Sequence, residues 1–176
     1  AGVAFRNAAL DEANPDPTKA LLNLNAPSYL RLGRMAVDNV TDELPGYKFE
    51  LGKGVTLRDG DDITIIATGL LVAEAVMAAG IHARVINIHT IKPLDKELVI
   101  KAAKETGRII TAEEHNIIGG LGEAVCSAVC DECPVPVTRI GVNDEFGHSG
   151  PAVELLKQFG LSAEHIANVA KKVLKK

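Results

Sequence analysis

From Asp61 to the end of the chain, short β-branched runs alternate with longer amphipathic stretches. Ile63-Thr-Ile-Ile-Ala67 is almost uninterrupted by polar residues, the pattern of a strand buried on both faces. Arg84–Ile88, Arg108–Ala112 and Pro136–Ile140 repeat it. Between them the periodicity predicts helices over Leu70–Ala79, Lys96–Lys104 and Gly122–Val129, the second introduced by Pro93 and Asp95. Two more, Pro151–Phe159 and Ala163–Leu174, close the chain, with Ser162 as N-cap of the last and Glu164 in its first turn. Strands that alternate with helices form a parallel sheet, because each helix is the crossover that returns the chain to the same end. The expectation is a three-layer α/β/α domain with a mostly parallel sheet over residues 47–176.

Upstream the pattern is less regular. Gly2 to Ala13 reads as a short helix carrying Val3, Ala4, Ala8 and Leu10, stopped by Asn14-Pro-Asp-Pro17. Ser28–Leu32 reads as a strand, Pro45-Gly46 as a turn, and the stretches around Phe49 and Val55 as an extended pair. Residues 27–61 as a whole have the look of a linker between two units.

Composition narrows the classes. Of 176 residues, 47% are apolar, enough for a core. Aromatics are 3%, with no Trp, which argues against stacking platforms for nucleic acid or sugars. A net charge of −4 and a pI near 5.7 argue against a nucleic-acid partner. No apolar run of about 20 residues predicts a membrane span. No basic-then-apolar leader precedes the first elements, and a cytoplasmic protein is expected. Cys126, Cys130 and Cys133 are three, odd in number and clustered. That is no secreted disulfide framework; one Cys-x-x-Cys pair makes a weak zinc signature, and buried reduced thiols are expected.

Candidate chemistry is sought where an open parallel sheet binds ligands, outside the carboxyl ends of its strands. Polar residues gather there from several segments: Thr68-Gly69, His89-Thr90, Glu113-Glu-His-Asn116 and Asn143 to Gly150. The loop Gly119-Gly-Leu-Gly122 joins a predicted strand to a helix and exposes backbone N–H groups, an arrangement suited to phosphate. It lacks the third glycine and the following acidic residue of a dinucleotide fingerprint. Glu114, His115, Gly119, Gly120 and Gly122 therefore stand as a possible anion-binding or subunit-interface rim, with both readings open. Glu113 and Glu114, adjacent on a strand, point to opposite faces and do not form a working pair. His89 and His148 are discounted as structural, and no hydrolase or metalloprotease signature occurs. Taken alone, these residues do not make a complete active site.

Four stretches carry a resemblance. Pro27-Ser-Tyr-Leu-Arg-Leu-Gly-Arg34, Asp62-Ile-Thr-Ile-Ile-Ala-Thr-Gly69, Ala83-Arg-Val-Ile-Asn-Ile-His-Thr-Ile-Lys-Pro-Leu-Asp95 and Phe146-Gly-His-Ser-Gly-Pro through Ser162 resemble the C-terminal part of transketolase, most of all the C-terminal subunit of its two-subunit forms. The likeness spans about three quarters of the chain. It implies two-carbon ketol transfer between sugar phosphates by an assembled enzyme using thiamine diphosphate and Mg2+. It implies a homodimer and a partner, the N-terminal subunit, that brings the cofactor site; none of the cofactor is expected on this chain alone. It matches one functional residue, Arg34, to the arginine that grips the substrate phosphate, a task suited to a guanidinium. Residues 1–46 then correspond to a remnant of the pyrimidine-binding domain and its linker. The same domain type closes deoxyxylulose-phosphate synthase and the β subunits of oxo-acid dehydrogenases, and an anion-binding assembly module is a further alternative. The sequence departs from the family in lacking its Gly-Asp-Gly cofactor motif. It also has only ten residues between Gly69 and Gly80, about two helical turns short. A longer protein is expected from these gaps.

Overall fold

The computed structural model describes residues 2–4, 17–33, 35–41, 44–78 and 81–175. Its centre is a five-stranded sheet. The strands are β3 (Val55–Arg58), β4 (Ile63–Ala67), β5 (Ala83–Asn87), β6 (Ile109–Asn116) and β7 (Val137–Val142), in the order β3-β5-β4-β6-β7. β5, β4, β6 and β7 are mutually parallel, and β3 joins the edge beside β5 in the antiparallel sense. The architecture is thus the mostly parallel α/β/α layering that the alternation predicts.

Side-chain alternation along the central strands explains the three layers. Ile63, Ile65 and Ala67 of β4 and Ile110 and Ala112 of β6 enter one core. There they meet α2 (Leu71–Met77), α6 (Ala163–Leu174) and Leu156 and Phe159 at α5 (Ala152–Gln158). Ile66 of β4, Ile86 of β5 and Ile109 of β6 enter the other, against α3 (Lys96–Thr106) and α4 (Leu121–Glu132). Every residue of β4 is buried, and each such isoleucine contributes about 1.5–3 kcal/mol of transfer free energy. The helix ends are specified locally. Asp95 accepts from Leu98 N at the start of α3, and Gly107 closes it in the left-handed conformation (φ 68°). Ser162 accepts from His165 N at the start of α6, as its position in the sequence predicts.

The N-terminal section differs from its sequence reading. Gly2–Ala4 forms strand β1, not the start of a helix, and pairs in parallel with β2 (Tyr29–Arg31). Residues 5–13 of that expected helix lie outside the described residues. A helix α1, Pro17–Leu22, lies between the two strands in sequence. Phe49 is buried but lies in no strand, so the expected extended pair reduces to β3. β3 is a member of the main sheet, so the linker reading of residues 27–61 ends before it. Among the described residues, no helix is long and apolar enough to cross a membrane.

Candidate functional site

The carboxyl ends of β4, β6 and β7 form a rim, and the N-terminal section sits against it. Arg31, at the end of β2, donates from Nη1 to the carbonyl oxygen of Glu114 on β6 at 2.8 Å. Four residues on, Met35 packs on the core beneath α2 and α6, followed by Val37 and Val40. Phe49 ties the section down a second time, touching Ala20, Leu21 and Leu30. Between Arg31 and the rim opens a cleft of about 470 Å³ bordered by Glu114, His115, Asn116 and Glu145, with Leu155 and Phe159 among its apolar lining.

Asn116 organises the rim. Its amide donates to Asp144 Oδ1 at 2.8 Å, and its Oδ1 accepts from Ile118 N at 2.8 Å. Asp144 is held at φ 52°, a conformation that Asp tolerates better than most residues. The loop beyond it carries Phe146, 95% exposed. His115 is exposed, its Nδ1 within 2.8 Å of the Asn116 carbonyl. His148 meets Gln158 Nε2 at 2.7 Å and lies against Phe159.

The glycine loop holds an anion of the protein's own. The Glu113 side chain, 1% exposed, accepts from Leu121 N at 2.7 Å and from Gly122 N at 2.8 Å, the first amides of α4. A β-carbon at Gly120 would stand 2.1 Å from Glu113 Oε2, so the absence of a side chain there is what admits the carboxylate. The helix dipole and two donors stabilise the charge without an external ligand. Thus the candidate rim splits in two. Glu114 and His115 border the cleft, whereas Gly119, Gly120 and Gly122 belong to a helix cap whose amides at 121 and 122 are already engaged. Glu113 and Glu114 do diverge, as their adjacency on a strand predicts.

Other candidates lie elsewhere. Arg34 falls outside the described residues. His89 is buried against Phe49, with ring centroids 4.5 Å apart, and its Nδ1 is 2.9 Å from Thr90 Oγ1. Burial pushes its imidazole down to about 4, against the opposing pull of Asp95. Cys130 is exposed and Cys126 and Cys133 are half-buried, which corrects the expectation of buried thiols. Val125, Ala128 and Val129 form the buried stripe of α4, and Cys126 and Cys130 lie one position, about 100°, away from it. Among the described residues, no three His, Cys, Asp or Glu side chains converge on a metal position.

Sequence reasoning passed over Arg31 and placed Asn116 at a strand end without giving it a role. A charged residue between Leu30 and Leu32 in a predicted strand was a signal for the first. Nothing local signals the second, whose partner is 28 residues away.

Comparison with known proteins places this arrangement. The family model described as transketolase, C-terminal domain, matches residues 52–166. The chain belongs to that transketolase C-terminal domain family. It is 44% identical over 162 residues to the 6-deoxy-6-sulfo-D-fructose transketolase subunit SqwH of Clostridium sp. (strain MSTE9), covering 87% of this chain and 49% of that protein. It is 44% identical over 164 residues to a subunit of the apulose-4-phosphate transketolase of Phocaeicola vulgatus, covering 90% and 52%. A 1-deoxy-D-xylulose-5-phosphate synthase of Heliobacterium modesticaldum is 42% identical over 130 residues, covering 70% and 20%. Among solved structures, a split-gene transketolase described as an inactive beta4 tetramer superposes with a TM-score of 0.83 at 40% identity, covering 99% of this chain and 58% of that one. This transketolase-family chain spans about half the length of the curated subunits it matches. The stretch before residue 52, outside the family match, contains β2 and Arg31.

Proposed function

We propose that this chain is the C-terminal section of a split transketolase, an enzyme moving two-carbon ketol units between sugar phosphates, in which it supports assembly and offers Arg34 to the substrate phosphate. The observation that carries the reading is the likeness to a split-gene transketolase over 99% of the chain. The N-terminal section is part of that likeness, and it is this section that contains Arg34.

Among the described residues, no three His, Cys, Asp or Glu side chains converge on a cation position. The helix N-terminus after the glycine loop is the kind of place that suits a phosphate group, and Glu113 occupies its first amides. The cofactor therefore belongs, in this reading, to the assembled enzyme and to the N-terminal partner subunit. A homodimer core, cytoplasmic location and sugar-phosphate substrates complete the proposal.

The test is reconstitution. The purified chain is mixed with an N-terminal transketolase subunit, thiamine diphosphate and Mg2+, and ketol transfer is measured beside oxidative decarboxylation and deoxyxylulose-phosphate synthesis. Ketol transfer that needs both subunits is the expected result. Transfer by this chain alone, or activity in either of the other two assays, contradicts it; the synthase outcome is the second reading, favoured by the Heliobacterium relative. In the assembled enzyme, Arg34→Ala raises KM for phosphorylated sugars about tenfold to a hundredfold, the worth of one charge-assisted pair. An unchanged KM returns Arg34 to an ordinary surface arginine.

A further inference from the structure

We propose that Cys130 and Cys133 form a reversible oxidation site, at which a small-molecule disulfide such as glutathione disulfide is attacked by Cys130 and the mixed disulfide is resolved by Cys133. The two thiols flank Asp131 and Glu132 at the end of α4. Cys130 is exposed, so a reagent of that size reaches it. Cys133 is half-buried and packs on the same core as Val135 and Val137, which makes it the less accessible of the two. Residues three apart on a helix have Cα atoms about 5 Å apart, inside the range of about 4.4–6.8 Å that a disulfide spans.

Cys126, four residues before Cys130, is the competing partner, and the helix tells the two apart. Cys126 and Cys130 both lie inside α4, where residues four apart hold their Cβ atoms about 5–6 Å apart, against about 3.5–4.5 Å in a disulfide. Closing that gap distorts a regular turn. Cys133 stands where the helix stops, with φ −152° and ψ 75°, and its N–H makes the last bond, to the Val129 carbonyl. Residues 134–136 belong to no helix or strand, and two of them are proline. The backbone at Cys133 therefore turns toward Cys130 without breaking an interior helical hydrogen bond. Burial also pushes the Cys126 thiol up, which leaves less of it as the reactive thiolate. The exchange balances. The Cys130 thiolate attacks one sulfur of glutathione disulfide, forming a mixed disulfide, breaking the glutathione S–S bond and releasing one glutathione thiolate. The Cys133 thiolate then attacks Cys130 Sγ, forms the Sγ–Sγ bond and expels the second glutathione thiolate. Two protein thiols are oxidised, one glutathione disulfide is reduced to two glutathiones, and the two protons pass from the former to the latter. Excess reduced glutathione runs the sequence backward.

The experiment uses the full chain. It is incubated with glutathione disulfide at about pH 8, remaining thiols are blocked with iodoacetamide, and the protein is digested without reduction for mass spectrometry. Trypsin releases residues 109–139, which contain all three cysteines, and cleavage after Glu132 then separates Cys130 from Cys133. The expected result is that the Cys130 and Cys133 fragments stay joined by a disulfide, with Cys126 alkylated and no glutathione retained. Excess reduced glutathione returns all three thiols to the alkylated form. Cys133→Ser, which lacks the resolving thiol, keeps one glutathione on Cys130, whereas Cys126→Ser behaves as the wild type. If Cys133→Ser fails to fold, Cys133→Ala, which suits the apolar contact, is read in the same way. Any bridge that includes Cys126, glutathione retained on Cys130 of the wild type, or three alkylated thiols after the exposure overturns the proposal.

Discussion

Replacing Glu113 by Ala tests whether α4 is capped from within. The carboxylate is buried beneath the loop and takes two amide hydrogens at 2.7 and 2.8 Å. Hydrogen bonds to a charged group are each worth about 1.5–3 kcal/mol, so the pair stands at roughly 3–6 kcal/mol. Losing it also leaves two N–H groups unsatisfied in a buried place, and the truncated side chain leaves a void. For a chain of this size, 1 kcal/mol corresponds to about 2–4 °C in Tm, so the melting temperature falls by roughly 10 °C or more. Glu113→Gln keeps the shape but presents a donor or a weaker acceptor to the amides, and loses about half as much. The assay is thermal unfolding followed by circular dichroism, with and without sulfate. In Glu113→Ala the vacated amides meet the description of a helix-terminal anion site, so sulfate raises its Tm more than that of the wild type. A Glu113→Ala protein that melts within about 2 °C of the wild type, or that gains nothing extra from sulfate, refutes the account of the loop.

Two further outcomes follow from the same geometry. His89 is held at about 4 in the folded chain against an ordinary 6.5. Between those values the unfolded chain binds a proton that the folded one does not, so stability is complete above about pH 6.5. It falls as the pH drops to about 4, by up to roughly 3 kcal/mol; His89→Phe flattens that part of a urea-unfolding series, and an equally steep series in the variant argues against it. For the cysteines, burial pushes the Cys126 thiol up while Cys130 lies on the surface. Iodoacetamide at about pH 8 therefore marks Cys130 before Cys126 in a peptide map, and the reverse order contradicts this orientation of α4.

The sheet was legible wherever its strands are buried on both faces. Ile63–Ala67 is recovered to the residue, because an unbroken β-branched run admits no other reading. β6 runs four residues beyond its apolar part, to Asn116, which pairs with Val142 of β7 after a shift in register. Polar residues at a strand end do not advertise that extension. β1 was unreadable for another reason. Its partner Tyr29–Arg31 is 27 positions away, and local periodicity carries no information about such a pairing. The site was half visible. Glu114 and His115 could be set on a rim by counting strand ends. The glycine loop was read as suited to phosphate, and the sequence concealed that Glu113, seven residues before Gly120, takes the first amides of α4.

The antiparallel run of β3 has a geometrical consequence. Val55 opens β3 opposite Asn87, the last residue of β5, so the chain enters the sheet at the edge where its parallel neighbours finish. Gly52 N reaches Thr90 Oγ1 and Gly54 N reaches Asp95 Oδ2 at this same edge. Had β3 run with its neighbours, its entry point would lie a strand's length away, about 13 Å for four residues, on the far side of the molecule from Glu114. The polarity of one four-residue strand thus decides which side of the sheet receives whatever precedes it.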